Sequence, residues 1–221
     1  MKKGQIIFGL CYIVVQMLIL PLILSILNVL LHSPLTIAEL NFVCFAVNFI
    51  VLTVVYRNFL FASAQVISKT FGRYIGITIS GFALYWISSY LINILVYLLD
   101  PAFSNVNDDS ILEMVNESPE LMWVGTVLLV PIAEELLFRG AIFGGLYRRN
   151  KVIAYTVSII AFGLLHVLGY VGFYPPYRLL LCFLQYIPAG LFLSWAYAKS
   201  GTIFSPVLIH MVINFIGISV M

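Results

Sequence analysis

Charged residues are scarce in this chain. They make up 9% of its 221 residues, against 62% hydrophobic residues, whereas a typical soluble domain is about one quarter charged. This balance excludes a soluble globular domain, and no signature of nucleic-acid binding is present. Repeated apolar runs of about 20 residues instead predict transmembrane helices, in a chain too short for a second sizeable domain.

Several common catalytic patterns are also missing. The three cysteines, Cys11, Cys44 and Cys182, lie far apart within apolar runs, so no pair has the spacing of a metal or redox site. There is no HExxH sequence, the zinc-binding pattern of many metalloproteases. No Ser or Cys in the apolar segments has a His and an Asp at a spacing that suggests a catalytic triad.

The apolar segments predict an all-α fold, a polytopic transmembrane helical bundle of about seven spans. We expect one transmembrane domain over residues 1–221, and no further domain. Its predicted spans are roughly 5–31, 37–57, 75–99, 121–147, 152–170, 179–198 and 202–220. The basic segment between the second and third spans is expected to form an interfacial helix, and the sixth span is expected to be scaffold.

The charges outside the spans indicate an orientation. Nine of the eleven Lys and Arg residues lie at the N-terminus or in loops on the same side, while residues 100–120 carry six acidic residues and no basic one. This positive-inside pattern predicts a multi-pass plasma-membrane protein with a cytoplasmic N-terminus and an extracytoplasmic C-terminus. We expect the acidic loop to be a solvated connection; the alternative is a binding surface for a basic partner.

Three charged residues remain inside the fourth span: Glu134, Glu135 and Arg139. A charge at the bilayer centre costs about 2.5–3.5 kcal/mol on insertion scales, so these groups require compensation. Glu135 and Arg139 are four residues apart and share a helix face, which favours an ion pair. Glu134 points about 100° away from Glu135 and therefore needs another partner.

Two further spans carry polar groups at depth. Glu134 and His166 are equally far from the turn that joins the fourth and fifth spans, about 21 Å along each helix, so they can lie level. His210 and Asn214 are four residues apart and share one face. A carboxylate opposite an imidazole can activate a water, and a second His with an Asn can stabilise an oxyanion. The depth of His210 hints at substrate entry from the cytoplasmic face.

Three motifs formed by these residues resemble those of a known family. EExxxR is present as Glu134, Glu135 and Arg139, FxxxH as Phe162 and His166, and HxxxN as His210 and Asn214. Their order within apolar helices resembles the CPBP family of intramembrane proteases. That family includes CAAX prenyl endopeptidases and bacterial bacteriocin-processing and self-immunity proteins. The resemblance covers residues 121–221, which would form the protease core.

The resemblance implies an intramembrane endopeptidase. Glu134 and His166 would activate the hydrolytic water, and His210 and Asn214 would form the oxyanion site. Glu135 and Arg139 would be a structural ion pair, and Phe162 a packing residue of its motif. The substrate would be a membrane-associated peptide or protein, possibly lipidated.

Three alternatives stay open at this point. A zinc-dependent form of the same protease would use Glu134, His166 and His210 as ligands with an open fourth position, although we favour a metal-free glutamate mechanism without a cofactor. A non-catalytic membrane scaffold or bacteriocin self-immunity protein would bind a membrane peptide without cutting it. Glu134 and His166 could also form a purely structural polar bridge. A transporter relay is disfavoured, because the sequence has no second set of midplane groups or inverted half-repeats.

Overall fold

A computed structural model describes residues 2–32 and 34–220. Within this part the chain folds into helices and forms no named strand, which confirms the all-α prediction. The eight helices are α1 (Lys3–Leu30), α2 (Ile37–Lys69), α3 (Phe71–Leu99), α4 (Val106–Glu117), α5 (Pro119–Tyr147), α6 (Lys151–Tyr170), α7 (Pro176–Ser200) and α8 (Phe204–Val220).

Six of these helices are long and apolar enough to cross a membrane: all except α4 and α8. Helix α8 is also apolar but has 17 residues, about 25 Å of helix, and the hydrocarbon core of a bilayer is about 30 Å thick. Large apolar side chains along α1 and α3 are exposed on the outside of the bundle, where lipid would cover them. The fold is therefore that of a polytopic membrane bundle.

Helix α2 extends further than the predicted second span. It begins with a capping box, in which Thr36 accepts a hydrogen bond from the Glu39 backbone N–H, and it runs without a break to Lys69. The basic segment expected to form an interfacial helix is thus divided: residues 58–69 continue α2, and Arg73 lies in α3. Residues 58–69 contain no Pro or Gly, so no helix-breaking residue ends α2 before Lys69.

Helix α5, which carries the three intramembrane charges, lies at the centre of the bundle. It packs against α1, α2 and α6, while α7 packs against α3, α6 and α8. Leu136 and Leu137 of α5 are completely buried. A Cβ added to Gly9 of α1 would lie 2.7 Å from the Cβ of Ala141 on α5, so this glycine allows the two helices to approach closely.

The backbone of α5 is irregular on both sides of the two glutamates. Residues Val124–Leu129 and Leu136–Phe143 form π-helical turns, and Val130–Glu135 is the α-helical segment between them. Pro131 has no N–H to donate within this segment, and π-helical turns are frequent at functional sites. Both glutamates are therefore held in a short α-helical stretch with irregular turns before and after it.

The acidic loop is ordered and docked against the bundle. Asn105, which caps α4, donates to Gln185 Oε1 of α7 at 2.8 Å, and Gln185 in turn donates to Asn93 Oδ1 of α3 at 2.9 Å. At the other end of α4, Glu117 accepts a hydrogen bond from the Ala38 backbone N–H at 3.0 Å. Five of the six acidic side chains are exposed, as expected of a solvated connection, but these side-chain hydrogen bonds in addition attach α4 to α2, α3 and α7.

Candidate active site

The ion pair expected within α5 is fully buried. Arg139 Nη1 donates to Glu135 Oε1 at 2.8 Å, and both side chains are 0% exposed. Arg139 Nη2 also donates to the Ala189 carbonyl of α7 at 3.0 Å, and the guanidinium carbon lies 4.4 Å from the ring centroid of Phe162. A carboxylate, a carbonyl and an aromatic face thus compensate the buried cation.

Phe162 connects that ion pair to both histidines. Its ring centroid lies 4.8 Å from that of His166 and 5.8 Å from that of His210. Its carbonyl oxygen lies 2.8 Å from His166 Nδ1. The aromatic residue of the FxxxH motif therefore positions its own histidine through the backbone and contacts Arg139 and His210 through the ring.

The tautomer of His166 follows from that backbone contact. A carbonyl can only accept, so Nδ1 carries the proton, and Nε2 of the neutral ring is an acceptor. The imidazole also stacks on Tyr186 of α7, with ring centroids 4.1 Å apart and planes 21° apart. Sequence reasoning treated α7 as scaffold and missed Tyr186. No local pattern indicates this contact, because it joins residues of two separate helices.

His210 lies between the two glutamates of α5. Its Nδ1 is 3.0 Å from Glu135 Oε1, and its Nε2 is 3.9 Å from Glu134 Oε2. Because Glu135 Oε1 also accepts from Arg139, Nδ1 of His210 is the donor in the shorter contact. The prediction paired Glu135 with Arg139 alone. The structure gives this glutamate a second contact, which orients a histidine of the candidate site.

Glu134 and Asn214 complete the set of polar residues. The Oε2 atom of Glu134 is buried and has no hydrogen-bond partner among the residues that the structure describes, and within the same residues no hydrogen bond joins Glu134 to His166. Asn214 Nδ2 donates to the Thr126 carbonyl at 2.8 Å, in the π-helical turn that precedes Glu134. One of its amide hydrogens is thereby used and the other remains available.

A cavity of about 1190 Å³ brings these groups together. Glu134, His166, His210 and Asn214 all line it, and among the described residues its wall contains no Lys or Arg. The wall extends to residues at the start of α2, in α4 and at the end of α6, and includes none from the loops that carry the basic residues. The cavity thus leads toward the acidic side, whereas the depth of His210 had hinted at the cytoplasmic face.

The fit of a metal ion can be judged from the side chains. Over residues 2–32 and 34–220, no three His, Cys, Asp or Glu side chains converge closely enough to hold a metal ion. In this arrangement Glu134, His166 and His210 are not grouped as three metal ligands, and zinc dependence stays an alternative for experiment to decide.

Comparison with known proteins agrees with the motifs. Residues 116–216 match the family model described as "Type II CAAX prenyl endopeptidase Rce1-like". The chain is 29% identical over 131 residues to "UPF0177 protein YxdF" of Lactococcus lactis subsp. lactis (strain IL1403), covering 59% of this chain and 67% of that protein. It is 30% identical over 109 residues to "Putative membrane peptidase YdiL" of Bacillus subtilis (strain 168), covering 49% of this chain and 40% of that protein. No solved structure matches.

These matches indicate a class and then a family. The chain is an all-α membrane bundle whose residues 116–216, in α4 to α8, are similar to CAAX-type membrane peptidases. The resemblance to the CPBP family that the three motifs predicted is confirmed over these residues. The chain spans between 40% and 67% of the length of the relatives named above.

Proposed function

We propose that this protein is an endopeptidase that hydrolyses membrane-associated peptides or proteins by an activated water inside the cavity. The observation that carries this proposal is the position of Glu134. Its carboxylate faces a cavity that His166, His210 and Asn214 also line, and its Oε2 atom has no hydrogen-bond partner among the described residues. A buried polar atom without a partner is costly, and a water or substrate group in the cavity would satisfy it.

The reaction would begin with deprotonation of this water. Glu134 takes one proton as general base, and His166 Nε2, an acceptor in the neutral ring, receives a hydrogen bond from the other. The water oxygen bonds to the carbonyl carbon of the scissile peptide, whose oxygen becomes an oxyanion. Glu134 then returns its proton to the leaving nitrogen as the C–N bond breaks, which restores the carboxylate.

His210 and Asn214 would stabilise the oxyanion. With Nδ1–H directed at Glu135, a neutral His210 presents a lone pair at Nε2. It therefore donates to an oxyanion only when both of its nitrogens carry protons. Asn214 contributes the amide hydrogen that Thr126 does not use.

The substrate class and location are part of the same proposal. The family match and the similarity to a protein named as a membrane peptidase favour a membrane-associated, possibly lipidated, peptide substrate. Processing of a bacteriocin-like peptide is consistent with the family. The charge pattern favours a plasma-membrane protein with a cytoplasmic N-terminus. We favour a metal-free mechanism without a cofactor.

Product analysis with the purified protein tests this function. Wild type in nanodiscs is incubated with a peptide library that includes prenylated C-terminal peptides, and the products are identified by mass spectrometry. We expect cleavage at defined peptide bonds that His166→Gln abolishes and that Glu120→Gln, a change on the exposed start of α5, preserves. Binding without cleavage of any peptide would instead support the non-catalytic scaffold or self-immunity alternative.

A further inference from the structure

Asp108 is the second carboxylate of the cavity wall. Among the described residues that line the cavity, Asp108 and Glu134 are the only Asp, Glu, Lys or Arg residues. The Asp108 side chain is exposed and lines the cavity from α4. It belongs to the docked loop that sequence reasoning treated as a connection, so no role has been assigned to it.

Tyr186 separates Asp108 from the candidate catalytic residues. The Tyr186 ring stacks on His166 with centroids 4.1 Å apart, and its hydroxyl lies 3.5 Å from Asp108 Oδ1. One tyrosine thus spans the interval between the imidazole and the carboxylate. In an extended peptide, which advances about 3.3 Å per residue, this interval corresponds to roughly three residues. A peptide bound at Glu134 and His166 therefore has a nearby side chain within reach of Asp108.

No cation of the described chain neutralises Asp108. Among the described residues no salt bridge joins Asp108 to a Lys or Arg; Arg178 of α7 instead donates to Ser104 at 2.8 Å and lies 3.8 Å from Asp109, and it does not line the cavity. Desolvation by the surrounding protein raises the pKa of Asp108 to about 6; hydrogen bonds with Asn107 and Tyr186 oppose this rise, and the Asp109 carboxylate adds to it. The carboxylate is thus less stable than in water and lacks a counter-charge.

The surroundings favour a cation from outside. The loop of residues 100–120 carries six acidic residues and no Lys or Arg, so its negative potential attracts cationic molecules. Deeper in the same cavity, the buried Glu134 Oε2 has no hydrogen-bond partner among the described residues, so a polar group of a bound ligand could donate to it. A peptide that carries a Lys or Arg side chain supplies both a counter-charge for Asp108 and a backbone for Glu134.

We propose that Asp108 is a specificity-determining residue that binds a Lys or Arg side chain of the substrate, about three residues from the scissile bond. This inference deepens the proposed function by assigning it a cationic peptide as substrate, which enters from the side of the acidic loop. A charge-assisted hydrogen bond between a carboxylate and a Lys or Arg side chain is roughly twice as strong as a neutral one, so this pair would strengthen binding.

Binding to a variant that lacks the proposed base separates this inference from the question of cleavage. Glu134→Gln protein in nanodiscs is titrated into a fluorescein-labelled peptide of Ala and Leu, in which a single Lys, Gln or Glu is placed at each position in turn. Fluorescence anisotropy gives Kd, and empty nanodiscs correct for partition into lipid. We expect one position at which the Lys peptide binds about tenfold more tightly than the Gln peptide, which is the effect of 1.4 kcal/mol.

Variants at two adjacent aspartates provide the control. In the Glu134→Gln background, Asp108→Asn should abolish the preference for Lys, and Asp108→Lys should reverse it in favour of Glu. Asp109→Asn removes the same charge from the neighbouring residue, which does not line the cavity, and should keep the preference within a factor of about two, as expected for a screened surface charge.

The outcomes for the two proposals are distinct. Any of three results would overturn the role of Asp108: absence of binding, equal binding of Lys and Gln peptides at every position, or a preference retained in Asp108→Asn. If the Asp108-dependent preference is found but wild type cleaves none of these peptides, the binding site stands and the proposed protease function fails. If wild type cleaves these peptides with no preference for Lys, the proposed protease function stands and the role of Asp108 fails.

Discussion

Glu135 Oε1 lies 3.0 Å from His210 Nδ1, a contact between α5 and α8 that is buried on both sides. The same oxygen accepts from Arg139 at 2.8 Å. The neighbouring Glu134 lines the cavity; its Oε2 lies 3.9 Å from His210 Nε2 and has no hydrogen-bond partner among the described residues. Two adjacent glutamates thus have different environments: Glu135 is hydrogen-bonded to Arg139 and His210, and Glu134 is left able to bind a group in the cavity.

This difference predicts that the same Glu→Gln change has a large effect on stability at Glu135 and a small one at Glu134. Glu135→Gln leaves the buried Arg139 without its counter-charge, and breaking a buried ion pair typically costs about 3–5 kcal/mol. Glu134→Gln removes a charge that has no hydrogen-bond partner at Oε2 and should change stability by less than about 1 kcal/mol. Thermal unfolding of both variants in the same detergent measures the difference. Equal unfolding temperatures would contradict the assignment of Glu135 to structure.

Tyr186 should position His166 through its ring. Tyr186→Phe retains the aromatic face against the imidazole and removes only the hydroxyl, whose contacts with Asn105 and Asp108 are long, at 3.5 Å. Tyr186→Leu removes the stacked ring, which is worth about 0.5–1.5 kcal/mol beyond its buried area. We expect kcat for a neutral peptide to fall about tenfold in Tyr186→Leu and to change by less than about threefold in Tyr186→Phe.

The pH profile of kcat in the two Tyr186 variants distinguishes positioning from a general loss of packing. A ring that orients His166 should, when removed, shift this profile as well as lower its maximum. A uniform decrease of kcat at all pH values, with an unchanged profile, would mean that Tyr186 contributes only to packing.

The proposed preference for a cationic peptide should depend on pH. Since the pKa of Asp108 is about 6, its carboxylate is charged above that pH and neutral below it. The preference for the Lys peptide over the Gln peptide should therefore be complete at pH 7.5 and largely lost at pH 5. Binding to Glu134→Gln protein across this range measures it, with Asp108→Asn as the control that shows no change.

Other groups near Asp108 do not produce the same signature. They are Asp109 on α4, Tyr85 on α3, Tyr170 on α6, and Arg178, Cys182 and Tyr186 on α7. Tyr, Cys and Arg side chains ordinarily keep one protonation state between pH 5 and 7.5. A preference that grows as the pH falls, or that persists at pH 5, would contradict the assignment to Asp108.

Much of this fold could be predicted from local sequence signals. Long apolar runs identify the membrane helices, and the spacing of Glu135 and Arg139 places both residues on one face of α5. The same reasoning missed the continuation of α2 to Lys69. A basic segment after an apolar run is compatible both with a helix that ends at the membrane surface and with a longer helix that continues beyond it.

The remaining features depend on contacts between distant parts of the chain. Glu135 and His210 are 75 residues apart, and Tyr186 meets His166 through the packing of α7 on α6. The docking of α4 depends on the amide side chains of Asn93, Asn105 and Gln185. A single sequence does not indicate which of these side chains form hydrogen bonds with one another. Equal depth did bring Glu134 and His166 to one cavity, but helix rotation and tilt, which depth alone does not define, leave them without a direct hydrogen bond.

Metal removal provides an independent test of the mechanism. Without a three-ligand set among the described side chains, the proposed glutamate mechanism predicts that a strong zinc chelator leaves kcat/KM for peptide cleavage unchanged within about twofold. Added zinc should likewise have no stimulating effect. Loss of activity with chelator and its recovery with stoichiometric zinc would move Glu134, His166 and His210 from water activation to metal ligation.

The central claim is that Glu134 activates the water, and its most direct test is the cleavage rate of Glu134→Gln. The measurement is kcat/KM with a quenched fluorescent peptide that wild type cleaves, beside Glu120→Gln, which makes the same change on the same helix outside the cavity. We predict a loss of about a thousandfold or more in Glu134→Gln, within the range of general-base catalysis, with an unchanged unfolding temperature and nearly full activity in Glu120→Gln. A folded Glu134→Gln variant that cleaves as fast as wild type would contradict the account.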